Sequence, residues 1–170
     1  MSRIQPLLSL KSKCFIGSFL MMPLLVFNLK AQNTTLPNPH EVIGFEVGSD
    51  FHLATYEQSI EYFKKLDAAS DLVQMRETGK TSEGLTWYYV LISSEENLSK
   101  IDHYKEISQQ LAHPKGMTRE EAQKLAEEGK AIVDISGGLH ASEVAGAQHI
   151  ITLAHQIVSE ANSKKFKPIL

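Results

Sequence analysis

The chain has 170 residues, of which 42% are apolar and 22% charged, and this composition is typical of a globular protein. Its length allows a single domain of ordinary size. With 17 basic against 20 acidic residues, it has no positive excess to neutralise phosphates. The composition therefore argues against nucleic-acid binding as its main function.

The first part of the sequence has the pattern of a secretory signal peptide. Basic residues precede an uncharged run over residues 15–29, and Ala31 follows at a position suited to cleavage. The run is 15 residues long, which is shorter than the roughly 20 apolar residues that a spanning helix needs. We therefore predict a signal peptide at 1–31, with an uncleaved N-terminal anchor as the alternative. We expect a secreted protein, extracellular or periplasmic, with no stable membrane anchor.

Cleavage after Ala31 would change both the charge and the redox chemistry of the chain. Four of the 17 basic residues and the single cysteine, Cys14, lie in the predicted signal peptide, so residues 32–170 carry 13 basic against 20 acidic residues. The exported chain is then acidic and cannot form an internal disulfide, so its stability must come from a core or a metal.

A polar segment with two prolines, residues 32–40, is predicted to be an exposed lead-in to a folded domain over residues 41–170. Two N-x-S/T triplets begin at Asn33 and Asn97. These triplets would matter only in a host that glycosylates secreted proteins, and by default we interpret them as coincidences.

Four amphipathic helices are predicted from apolar residues at helical spacing. Two of them begin at capping boxes, Thr55 with Gln58 and Thr118 with Glu121. The predicted helices cover residues 55–68, 98–112, 118–128 and about 143–159.

Three strands are predicted between these helices. Residues 72–77 and 87–92 form a hairpin around the turn at 79–84, and the unbroken apolar run of its second strand predicts that both faces are covered. The apolar run at 131–135 predicts a third strand, which the glycine pair at 137–138 ends. The resulting order of helices and strands indicates an α/β fold.

One apolar stripe on the last helix should face the core. Its members are Ala147, Ile150, Ile151, Ala154, Ile157 and Val158. Gln148 and His149 fall on the opposite face and His155 at its edge, so both histidines are predicted to be solvated.

His140 and Glu143 lie together where the last helix begins. Glu143 projects onto the apolar stripe, where a carboxylate is costly unless it is paired or bound to a metal. His140 lies three residues earlier, in the loop that follows the third predicted strand, and open α/β sheets tend to build their sites at that edge. The spacing predicts an imidazole and a carboxylate side by side. An ordinary histidine paired with a glutamate at the positive end of the helix dipole is the alternative.

The segment Gly138-Leu139-His140-Ala141-Ser142-Glu143 resembles the H-x-x-E metal motif of the zinc carboxypeptidases of the A/B type. Residues 79–84, with the sequence GKTSEG, look like the G-x-S-x-E-G segment on the early hairpin of that family, although Leu85 stands where an arginine commonly follows. The resemblance covers about residues 41–170. It implies the N-terminal part of a mixed-sheet zinc carboxypeptidase-like fold, with an early hairpin, a first parallel strand and flanking helices.

The resemblance also implies a function. His140 and Glu143 would be two ligands of a Zn²⁺ ion, in a secreted metallocarboxypeptidase that hydrolyses C-terminal peptide bonds of a peptide or protein substrate with zinc-activated water. In that family the third ligand and the general base come later than Leu170, so the resemblance implies an apparently truncated domain that is catalytically silent by itself. Two alternatives stay open: a related H-x-x-E amidohydrolase acting on acyl-amino acids or cell-wall peptides, and a non-catalytic secreted module.

Overall fold

The computed structural model describes residues 35–170. The predicted signal peptide lies outside these residues. The elements in chain order are α1 (Pro39–Ile43), α2 (Tyr56–Ala69), β1 (Val73–Lys80), β2 (Thr86–Ile92), α3 (Glu95–Ser99), α4 (Ile101–Ala112), α5 (Arg119–Glu128), α6 (Val144–Ser159) and a short 3₁₀ helix (Lys167–Ile169). The predicted α/β class is confirmed: helices flank a two-stranded antiparallel sheet.

The core lies where α1, α2 and α6 pack against one face of the β1–β2 hairpin. Its buried members are Ile43, Tyr62, Phe63, Leu66, Val73, Ile151, Ala154 and Val158. The hydroxyl of Tyr62 is buried without a hydrogen-bond partner among the described residues, and this burial raises the pKa of Tyr62 above its ordinary value.

The helix α1 begins inside the segment predicted to be an exposed lead-in. Asn38 caps it, because its side-chain oxygen accepts a hydrogen bond from the His40 N–H at 2.9 Å. Pro39, at the first helical position, is buried, and the helix ends at Gly44 with a φ of 92°. Ordered structure therefore starts before Glu41, although the sequence pattern predicted that the domain begins at that residue.

The capping boxes predicted from the sequence are both confirmed. At α2, Thr55 accepts from the Gln58 N–H while the Gln58 side chain accepts from the Thr55 N–H. At α5, Thr118 and Glu121 make the same reciprocal pair, and hydrogen bonds from the Thr118 backbone and hydroxyl lower the pKa of Glu121.

The hairpin is formed as predicted, but β1 continues to Lys80, so the turn is shorter than the predicted 79–84. Two hydrogen bonds between Thr81 and Leu85 close this turn. Thr81 donates its N–H to the Leu85 carbonyl at 2.8 Å, and its hydroxyl accepts from the Leu85 N–H at 3.1 Å. Gly84, with a φ of 82°, takes the left-handed conformation that such a turn requires. The prediction that β2 is covered on both faces is wrong near the turn, because Trp87 is 61% exposed and Tyr89 42% exposed.

The helix predicted at 98–112 is divided into α3 and α4 at Lys100, and α4 ends before His113 and Pro114 as expected. Beyond it, α5 buries none of its own residues. One side-chain contact between these helices joins His103 Nε2 to Glu128 Oε1 at 2.9 Å.

The prediction of a third strand at 131–135 is wrong: the described residues form only β1 and β2, and these five residues belong to neither. Their apolar side chains are exposed, with Ile132 at 61%, Val133 at 79% and Ile135 at 56%. A strand requires backbone partners, and no described segment is hydrogen-bonded alongside this one. The apolar run alone therefore does not produce a strand here.

The carbonyl oxygen of Leu170 is held beside the start of α3 by three donors. The Ser94 N–H lies 3.0 Å from it, the Ser93 hydroxyl 2.8 Å and the Asn97 side-chain nitrogen 2.6 Å. Asn97 also donates to the Ser93 hydroxyl at 3.0 Å. These bonds connect Leu170 to the segment that follows the hairpin.

Candidate metal centre

The two predicted site residues lie together at the start of α6. Nδ1 of His140 is 2.8 Å from Oε1 of Glu143, and the Glu143 N–H donates to the His140 carbonyl at 3.0 Å. The sequence prediction of an imidazole and a carboxylate side by side is therefore confirmed.

Glu143 is the N-cap residue of α6, but its side chain makes no capping hydrogen bond to the helix. Its carboxylate therefore keeps most of its acceptor capacity for His140 and for a ligand. The side chains of His140 and Glu143 are 65% and 58% exposed, so an ion can reach both from solvent.

The prediction that Glu143 lies on the covered face of α6 is wrong. The buried residues of this helix are Gln148, Ile151, Ala154 and Val158. Residues 143–145 are exposed, with Val144 at 42%. Glu143 therefore needs no metal to compensate for burial, and the case for a metal rests on the donor pair itself.

The donor chemistry fits zinc as part of a site. Imidazole nitrogen and carboxylate oxygen are both zinc ligands, and two such atoms at about 2.1 Å from a tetrahedral ion lie roughly 3.4 Å apart. The observed separation of 2.8 Å is that of a direct hydrogen bond, so this bond would have to open before both atoms could bind one ion. Within residues 35–170, no three His, Cys, Asp or Glu side chains come together as a group suited to one metal ion.

The two histidines predicted to be solvated differ from each other. His149 is exposed, as expected. His155 is half-buried, and its Nδ1 is shielded from solvent with no hydrogen-bond partner among the described residues, so the prediction for His155 is wrong. Neither histidine joins His140 and Glu143 in a metal-binding group.

The sequence pattern was also wrong about Gln148. It was predicted on the solvated face, but it is only 7% exposed. Its side-chain oxygen accepts from the Ala54 N–H at 2.8 Å, and its nitrogen donates to the Ala54 carbonyl at 3.2 Å. Gln148 thus connects α6 to the segment before α2, a contact across 94 positions of sequence that no local pattern signals.

Comparison with known proteins identifies the family. The sequence model of the zinc carboxypeptidases matches residues 59–170, which is 112 of the 170 residues. The chain belongs to the zinc carboxypeptidase family. The match includes the hairpin and the His140–Glu143 pair, and it assigns the chain to a family of zinc-dependent hydrolases that are carboxypeptidases and metalloproteases. No curated protein and no solved structure matches the chain.

Among the described residues, we find no helix that combines the length and the apolar character needed to cross a bilayer.

Proposed function

We propose that His140 and Glu143 are two of the protein ligands of a catalytic zinc ion, in a secreted metallocarboxypeptidase that removes C-terminal residues from peptides or proteins. The single observation that carries this proposal is the contact of 2.8 Å between Nδ1 of His140 and Oε1 of Glu143 at the exposed start of α6, in a chain of the zinc carboxypeptidase family.

A zinc ion in such a site lowers the pKa of a bound water and polarises the scissile carbonyl. The chain's own contribution is to hold one nitrogen and one oxygen ligand in fixed relation. The backbone of Glu143 is held at the start of α6, and the backbone of His140 is held because its carbonyl accepts the Glu143 N–H. The contact between Nδ1 and Oε1 orients the two side chains. Both groups are held by local structure before any ion binds, which lowers the entropic cost of binding.

The ligand assignment is tested by zinc binding to the full chain. We expect His140→Ala and Glu143→Gln each to weaken zinc binding by about tenfold or more, because each change removes one of two donors. Equilibrium dialysis with metal analysis measures the bound zinc.

His149→Ala, on α6, and Glu160→Gln, at the residue that follows α6, are matched controls, since both side chains are exposed and outside the pair. These controls should bind zinc as the unchanged chain does. Equal zinc binding by the unchanged chain and His140→Ala would contradict the ligand assignment.

The reaction is tested separately, on the protein as its cells produce it and with zinc supplied. Release of the last amino acid from a peptide with a free C-terminal carboxylate, but not from the same peptide with a C-terminal amide, is the expected result. Release of the acyl group from an N-acyl amino acid instead would identify an amidohydrolase and contradict the carboxypeptidase proposal.

Secretion is also part of the proposal, and its support is the sequence of residues 1–31. Expression in cells that export proteins should give a product that begins at Gln32, found outside the cytoplasm. N-terminal sequencing of the exported chain measures the cleavage site. A product that keeps residues 1–31 and stays with the cells would contradict this expectation.

A further inference from the structure

The loop from Gly137 to Glu143 is attached to α6 at both ends. Glu143 directly precedes the first helical residue. At the other end, Gly137 lies so close to the helix that a Cβ on it would be 2.3 Å from Cδ1 of Ile150 and 3.1 Å from both Cγ1 and Cγ2. Because no side chain fits between them, the loop backbone rests on the helix.

The helix also has a glycine, Gly146, where its backbone meets the loop. A Cβ on Gly146 would be 3.3 Å from the carbonyl oxygen of Gly137 and 3.4 Å from its carbonyl carbon. Gly146 and Ile150 are four residues apart and share one face of α6. Both contacts of Gly137 are therefore made with the same face of the helix.

Ile150 cannot easily give way to a larger residue at 137. Rotation of its outer torsion would move Cδ1, but Cγ1 and Cγ2 stay close to the added Cβ. In a helix a β-branched side chain has one strongly preferred χ1, and Ile150 also packs against the core. A side chain at 137 would therefore displace the loop instead of the isoleucine.

We propose that Gly137 is a positioning residue for the His140–Glu143 pair: its missing side chain sets the distance between the loop and α6, and with it the place of His140 relative to Glu143. The role in metal binding rests on the proposed function. The loop geometry itself can be measured without metal.

The metal-free measurement is hydrogen exchange of the Glu143 amide in the full chain, because this amide donates to the His140 carbonyl at 3.0 Å. Gly137→Ala should accelerate exchange at the Glu143 amide by at least about fivefold. This ratio corresponds to the lower end of the strain energies that overpacking causes. The amide of Ala154, in the buried part of α6, should change by less than about twofold, which separates a local displacement from general loss of stability.

Gly146→Ala gives a second variant whose helix should remain folded. Alanine is the better helix former, but its Cβ would press on the Gly137 carbonyl, which is backbone and cannot rotate away. Exchange at Glu143 should therefore accelerate while α6 stays at least as protected as before.

Removal of the obstructing side chain should rescue the first variant. The double variant carries both Gly137→Ala and Ile150→Ala. Its exchange rate at the Glu143 amide should be within about twofold of the rate in Ile150→Ala alone, because the added methyl group then fits the vacated space. Ile157→Ala is the matched control. Ile157 is another half-buried isoleucine of α6, but none of its atoms is among the three nearest to a Cβ at Gly137. It should give no rescue.

Zinc binding provides the link to function. Gly137→Ala should weaken zinc binding by about tenfold, as loss of a supporting contact around a metal site does, and the Ile150→Ala double variant should recover it. Unchanged exchange at Glu143 in Gly137→Ala, equal acceleration at Ala154, or rescue by Ile157→Ala would each overturn the positioning role.

Failure of the proposed function gives a different result. If His140→Ala binds zinc as the unchanged chain does, the ligand assignment fails, and the exchange data alone then decide whether Gly137 positions the loop. If His140→Ala loses zinc but Gly137→Ala binds it normally, the ligand assignment stands and the positioning role is overturned.

Discussion

Replacement of Gln148 by methionine is expected to lower the free energy of unfolding by about 1–3 kcal/mol. Methionine keeps the length and burial of the side chain, but it cannot replace the two hydrogen bonds to the Ala54 backbone. The N–H and the carbonyl of the half-buried Ala54 would lose their partners. An unsatisfied polar group away from water costs about 1–3 kcal/mol, and partial access of water to Ala54 keeps the expected total within that range. Urea unfolding followed by circular dichroism measures the change.

Gln156→Met is the matched control, because Gln156 lies on the same helix. The side-chain hydrogen bond observed for Gln156 is to the exposed Glu160. Its effect should stay within about 0.5 kcal/mol. Similar losses in the two variants would mean that the Ala54 contact contributes nothing beyond a general glutamine-to-methionine effect.

Replacement of Ile151 by alanine should lower the free energy of unfolding by about 2–5 kcal/mol. Ile151 is 0% exposed and belongs to the cluster of core residues that includes Tyr62 and Leu66. The loss combines the transfer free energy of the deleted groups with the cavity that they leave. The same urea titration measures it.

Val133→Ala is the control for this variant, and it also tests the correction to the predicted third strand. Val133 is 79% exposed, so its truncation should change the free energy of unfolding by less than about 0.5 kcal/mol. A loss as large as that of Ile151→Ala would mean that residues 131–135 are buried in solution, as the sequence pattern alone had indicated.

Local signals predicted the helices well. Capping boxes at Thr55 and Thr118 fix helix starts through hydrogen bonds within four residues, so the sequence contains all the partners involved. The same holds for the His140–Glu143 contact, because three residues separate the two and the helix start constrains both. The donor pair could therefore be predicted without the rest of the fold.

Features that depend on distant partners were not predictable. The run at 131–135 has strand-forming residues, but a strand also needs a neighbour, and sequence composition does not supply one. The buried face of α6 includes Gln148, whereas the apolar stripe predicted a face that excludes it. The side of the helix that is covered depends on contacts with α1, α2 and Ala54, which are distant in sequence. The contact of Gly137 with Ile150 is likewise invisible in the spacing of the glycines.

The position of Asn97 bears on how the chain can be produced. Its side-chain nitrogen, the atom to which an oligosaccharide is joined, donates to both the Ser93 hydroxyl and the Leu170 carbonyl. Joining an oligosaccharide to this nitrogen would require both hydrogen bonds to break. A sugar on Asn97 would therefore remove its contact with the Leu170 carbonyl, so a host without N-glycosylation is the better choice for preparing homogeneous protein.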